Sequence, residues 1–155
     1  MTTVPISATY LNVQEARASA ALEAASAWDP TPTVMVCPYL SDLTLSFTYT
    51  RGAAGGAFDW QLETSPYSVA ANVPAGAQEW QNPAIYDSGA VVAGADTQSR
   101  DQMEYETYQA TGAAVESFAI GPITLNGTFE RARVVARESG AAGTPGTLQV
   151  EAVFS

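Results

Sequence analysis

From Leu43 to Thr50 apolar and polar residues alternate without a break. Leu43, Leu45, Phe47 and Tyr49 fall on one face, and Thr44, Ser46, Thr48 and Thr50 on the other. Thr147 to Phe154 repeats the pattern, with Leu148, Val150, Ala152 and Phe154 in phase. A period of two predicts a strand buried on one side and wet on the other. Phe58 to Thr64 alternates as well, bringing Phe58, Trp60 and Leu62 together, and Phe129 to Arg137 adds Val134 from a further strand. Leu45, Phe47, Trp60, Leu62, Val134, Val150 and Phe154 are therefore expected in one core.

Short glycine-rich connections predict that these strands pair as hairpins. The loop RGAAGGA (51–57) would set Tyr49 opposite Phe58, Phe47 opposite Trp60 and Leu45 opposite Leu62, with Thr48 opposite Asp59 on the wet side. The loop ESGAAGTPG (138–146) would set Ala136 opposite Leu148, Val134 opposite Val150 and Ala132 opposite Ala152. Arg133 would then face Glu151 on the outer side. Apolar meets apolar at every step, which makes both registers self-consistent.

The rest of the chain reads more weakly. Thr33 to Cys37 is a strand, and Pro38 to Asp42 a turn. Residues 65–83 form a long proline-bearing loop, and 85–92 a strand broken by a turn. Arg100 to Gln109 is a polar edge strand, and Val115 to Leu125 a strand interrupted by Gly121-Pro122. Asn126-Gly127 is a turn signal. Residues 1–12 suit an arm or a first strand. Residues 13–28 fit a short helix by propensity, or an irregular strand, since Leu22 is their one large aliphatic residue after Val13.

About eight strands at this spacing predict an all-β chain: a single antiparallel β-sandwich, jelly-roll-like, in residues 31–155, preceded by an N-terminal arm in residues 1–30 with room for a short helix. The arm carries Val4, Ile6, Tyr10, Leu11, Leu22 and Trp28. These are too sparse for a local core and too many to leave in water, so they are expected at an interface with a sister subunit or another partner. Trp80, in the loop AQEWQNP, is the expected exposed aromatic and joins them as a candidate contact.

Composition narrows the function classes. Only 14% of residues are charged, against about a quarter in an ordinary soluble domain. Sixteen acids face six bases for a net charge of −10, and every base is arginine: 17, 51, 100, 131, 133 and 137. This balance opposes binding to nucleic acid, where phosphates need a basic patch, and to anionic membranes. The start of the chain shows no secretory signal, and no apolar run is long enough to span a bilayer. The expected site of synthesis is a cytoplasm, without export by a recognisable signal.

The chemical toolkit is thin. With no His and no Lys, the usual Ser-His, Cys-His and Ser-Lys nucleophile pairs cannot be built. Cys37, the single cysteine, lies in an apolar run and is expected to be a buried, inert thiol. Glu104 and Glu106, two apart on one strand face, have a spacing usable in glycoside hydrolysis, but a solvated acidic face is the simpler reading. Asp87, Asp96 and Asp101 are loop carboxylates without EF-hand spacing. Trp28, Trp60 and Trp80, with Tyr67 and Tyr86, are the aromatic residues available to a sugar platform, although Trp60 alternates in phase with the core. Asn126-Gly-Thr fits a glycosylation sequon but reads better as the turn. No catalytic residue, metal site or cofactor is expected.

Two segments carry a family resemblance. TLSFTYTRGAAGGAFDWQLETSPYSV, and IYDSGAVVAGADTQSRDQMEYETY followed by FAIGPITLNGTFERARVVARESGAAGTPGTLQVEAVF, resemble small structural proteins of tailed bacteriophages over about residues 40–155. The TRGAAGGAF and ARESGAAGTPGTL loops are the most specific parts. The resemblance implies a virion component: a β-sandwich, often trimeric, that decorates or cements the head by binding the major capsid protein. A glycan-binding module of a tail or fibre, using Trp80, is the alternative from another class, and a carboxylate hydrolase around Glu104 and Glu106 the third.

Overall fold

The computed structural model describes residues 12–23, 27–38, 42–52, 56–81, 105–111, 113–125, 129–139 and 143–155. Eight strands fill these segments: β1 (Asn12–Ala21), β2 (Met35–Val36), β3 (Asp42–Thr50), β4 (Ala57–Ser65), β5 (Glu106–Gln109), β6 (Val115–Thr124), β7 (Arg131–Glu138) and β8 (Thr147–Phe154). They form two four-stranded sheets, ordered β1-β8-β3-β6 and β2-β7-β4-β5, in which every neighbouring pair is antiparallel. β1 pairs β8, β2 pairs β7, β3 pairs β6 and β4 pairs β5. This is a long antiparallel ribbon rolled on itself: an all-β sandwich with jelly-roll topology.

The rolled path corrects both hairpins. β3 and β4 lie in opposite sheets, as do β7 and β8. β3 pairs β8 with Phe47 opposite Val150, and β4 pairs β7 with Leu62 opposite Val134. Arg133 accordingly faces Glu63, not Glu151. The reason is that alternation fixes which face a residue takes and leaves its partner open. Two apolar faces match as well across a core as along a ladder. Phe47 does meet Trp60, with ring centroids 4.9 Å apart, and Tyr49 meets Phe58 at 4.9 Å, but both contacts run between the sheets.

The core forms as the apolar faces predict. Leu45, Phe47, Trp60, Leu62, Val134, Val150 and Phe154 are all buried in one cluster. Phe118 stacks on Phe47 at 4.9 Å and on Tyr108 at 4.0 Å, extending the cluster toward β5 and β6. The two glycine-rich connections lie against each other at one end of the roll. A Cβ on Gly52 would strike Thr144 and Pro145, and one on Gly146 would strike Tyr49 and Thr50. Gly121 has φ +140° where β6 shifts register against β3 between Leu43 and Leu45, which explains the interruption expected there.

At the N-terminal region the irregular strand is the reading that holds. Residues 12–21 form an edge strand along β8, with register shifts around Arg17, and not a helix or a detached arm. The ladder to β8 satisfies a backbone whose alanines gain little from side-chain packing, and it overrides helix propensity. The chain then crosses from one sheet to the other. Leu22 N–H donates to Gly146 O at 2.8 Å, Asp29 N–H to Ala136 O at 3.1 Å, and Cys37 N–H to Glu130 O at 2.9 Å. Residues 1–11, and with them Val4, Ile6, Tyr10 and Leu11, lie outside the described residues, as do 82–104 and the Asn126-Gly127 turn.

Candidate interface: the two outer faces of the roll

On the β2-β7-β4-β5 sheet the outer face is closed over β4 and β7, while Val36 of β2 and Thr107 and Gln109 of β5 stay exposed at its two edges. β4 is buried along its whole length, on both sides. Its outward residues Asp59, Gln61, Glu63 and Ser65 stand in register with Arg137, Val135, Arg133 and Arg131 of β7. Arg137 Nε donates to Asp59 Oδ2 at 2.9 Å, and Thr107 of β5 adds a hydroxyl to Asp59 Oδ1 at 2.7 Å. Arg133 Nε donates to Glu63, whose other oxygen accepts the Gln61 amide at 2.8 Å. Charge-assisted bonds of this kind offset the cost of taking a carboxylate out of water.

Aromatic rings roof this ladder. The Trp80 ring stacks on the guanidinium of Arg133 at 4.0 Å and of Arg131 at 4.9 Å, and the Trp28 ring stacks on that of Arg137 at 4.2 Å and meets Tyr105 edge-on at 5.6 Å. The loop bearing Trp80 is held down by two reciprocal backbone hydrogen bonds, Thr64 N–H to Gln81 O at 2.8 Å and Gln81 N–H to Thr64 O at 2.9 Å, and by Arg131, which donates to Tyr67 O and Glu79. A cation over an indole face, shielded from water, is worth about 2 kcal/mol. Trp80 is 8% exposed, Trp28 9% and Leu22 3%. The expectation of an interface from these three is corrected: each packs within its own chain. Trp80 is not presented as a sugar platform.

Arg17 and Asp29 tie the sheets together at the β1 edge. The guanidinium bonds the Asp29 carboxylate through Nε and Nη2, both at 3.0 Å, and reaches Ala20 O and Ala21 O. Asp29 Oδ2 also accepts Ala136 N–H of β7 at 3.0 Å. An open cleft of about 230 Å³ lies beside this pair, lined by Ala18, Ala21, Glu23, Pro30 and Thr33. Arg17 turns its donors into the fold and leaves none directed at an anion there.

Several other ionisable groups are packed inside the fold. Burial, and then the Glu138 carboxylate, push the Tyr49 phenol from 10.0 up to about 12. Glu138 itself is buried, accepting from Tyr49 and from Gly146 N–H at 3.1 Å. Thr111, through its hydroxyl and its N–H, and Tyr108 hold the Glu116 carboxyl below its usual range. Burial and the nearby Glu130 push the half-buried Cys37 thiol up to about 11, so at neutral pH it is protonated and a poor nucleophile. Glu106 is exposed on β5; Glu104, Asp87, Asp96, Asp101 and Tyr86 lie outside the described residues. Among the described residues no cluster of His, Cys, Asp or Glu could hold a metal ion, and no helix is long and apolar enough to cross a membrane.

The outer face of the β1-β8-β3-β6 sheet is different in kind. Four rows cross it. Thr147, Thr50 and Val115 make the first, Gln149, Thr48 and Ser117 the second. Glu15, Glu151, Ser46 and Ala119 make the third, and Val13, Val153 and Thr44 the fourth. All of these residues are exposed or half-buried, and Val13 and Val115 are 61% and 55% exposed. No described arginine stands in these rows. Sequence alternation located the β3 and β8 parts of this face correctly. It did not separate them from Asp59, Gln61 and Glu63, whose cover comes from distant residues.

No protein-family model, curated protein or solved structure matches the chain.

Proposed function

We propose that this protein is a non-enzymatic structural component of a tailed-bacteriophage virion, a head decoration protein that binds the major capsid protein and stabilises the shell. The observation that carries this reading is the division between the two outer faces. One sheet spends its arginines and indoles inside the chain, and among the described residues the other keeps a broad exposed or half-buried surface of mainly small polar side chains. The acidic balance and the phage-like glycine loops, which pack side by side at one end of the roll, support the same reading. Jelly rolls recur in viral capsid proteins and in lectins, so the fold by itself does not choose between them; the roofed Trp80 removes the aromatic on which the glycan reading rested.

In this reading the protein works as an oligomer, a trimer by the resemblance, on the virion surface after assembly in the host cytoplasm. It needs no cofactor. The test is its presence in purified particles. Mass spectrometry should find it in many copies per head, and heads made without it should rupture at lower temperature. Absence from purified particles, or heads equally robust without it, contradicts the proposal.

A further inference from the structure

We infer that the outer face of the β1-β8-β3-β6 sheet is the docking surface, and that its partner is a flat protein surface bearing arginine or lysine rather than a second copy of this chain. The inference rests on the structural-protein reading above and adds the face and the chemistry of the partner.

Charge complementarity selects the partner. Glu15 and Glu151 stand directly opposite each other on adjacent strands, and both are exposed. Like charges in this position oppose strand pairing, and an incoming cation between them relieves the repulsion. Among the described residues, Arg17 is turned inward onto Asp29, Arg131, Arg133 and Arg137 belong to the other sheet, and Arg51, just past the end of β3, lies against Gly56. Face-to-face docking of two copies would bring Glu15 and Glu151 of each against those of the other, on chains of net charge −10. A basic partner meets the same carboxylates favourably.

Shape sets the strength. The hydroxyls of Thr44, Ser46, Thr48, Thr50 and Ser117 are short, so the face is level and accepts a level partner. Four strands of about eight residues cover roughly 500 Å², less than the roughly 800 Å² per partner of a stable one-to-one complex. One copy therefore binds weakly, and oligomers on a repeating shell bind tightly through multivalency.

The experiment titrates the full chain onto purified particles of the phage that carries its gene, prepared without this protein, and reads bound chain by co-sedimentation. The expected result is saturable binding that weakens with salt. The Glu15→Arg/Glu151→Arg variant and the Thr48→Arg variant should each bind at least about tenfold more weakly. Glu106→Arg, on the other sheet, should bind within about twofold of the parent chain. Thermal melting checks that each variant is folded, and Glu15→Gln/Glu151→Gln, which adds no bulk, should flatten the salt dependence if the arginine variant fails to fold. Parent binding that both face variants and the glutamine variant retain overturns the docking face while leaving the structural role standing. No binding by the parent chain overturns both. A dimer that Glu151→Arg dissociates in sedimentation velocity overturns the choice of a basic partner.

Discussion

The two sheets share a core and differ in what they do with their outer faces. On the β4 side, Asp59 and Glu63 are buried, each bonded to an arginine in register on β7, and two indoles cover the arginines. On the β3 side, Thr44, Ser46, Thr48 and Thr50 alternate just as regularly and stay half-buried or exposed. A polar residue pointing away from the core is thus not a wet residue by default. The difference lies in whether the chain supplies a roof. Among the described residues, loops and crossing segments roof β4 and β7 and none of them roofs the β3 side, which is why the proposed docking surface is placed there.

The largest effects should fall on the closed side and in the core. Arg133→Ala leaves Glu63 buried without its cation and should cost about 3–5 kcal/mol in urea denaturation, much as emptying the core by Trp60→Ala should. A cost under about 1 kcal/mol for Arg133→Ala would mean that water reaches Glu63 and the ladder is open. Trp80→Ala should cost about 2 kcal/mol by uncovering Arg131 and Arg133, and it should raise the dependence of stability on salt.

Alkaline titration probes the contact between the sheets. The folded state holds the Tyr49 phenol at about 12, above its ordinary 10.0. The unfolded chain therefore loses this proton first as pH rises. The contribution is complete below pH 10 and is lost on the way to about 12. Tyr49→Phe should flatten the fall in stability across that window; an unchanged profile would remove Tyr49 from the account. The smallest effects belong to the open face. Thr48→Ala should change stability by no more than about 0.5 kcal/mol, and Glu151→Gln should raise it by a few tenths of a kcal/mol by relieving Glu15. Large losses at either position would mean that the open face is structural too.

The core was legible in the chain because alternation reports facing directly, and Leu45, Phe47, Leu62, Val134 and Val150 needed no knowledge of pairing. Pairing was not legible. Sequence-adjacent strands pair more often than not, yet in a rolled ribbon β3 and β4, or β7 and β8, lie on opposite sheets. A signal did exist in the charges. Arg131, Arg133 and Arg137 share one phase of β7, and Asp59 and Glu63 share one phase of β4. That match favours β4 beside β7 over β7 beside β8, where Glu151 offers the single acid. The buried state of Trp28 and Trp80 was beyond reach, because each is covered by arginines more than fifty residues away. The open face was half legible: the hydroxyl rows of β3 stood out, but not the edge strand β1 that adds Glu15 to Glu151.

A three-dimensional reconstruction of the intact phage particle tests the central claim most directly. The account predicts eight-stranded rolls on the outside of the head, with Thr48 and Glu151 toward the shell and the Trp80 side toward solvent. Rolls seated by the Trp80 side, or found only in the tail, would contradict it.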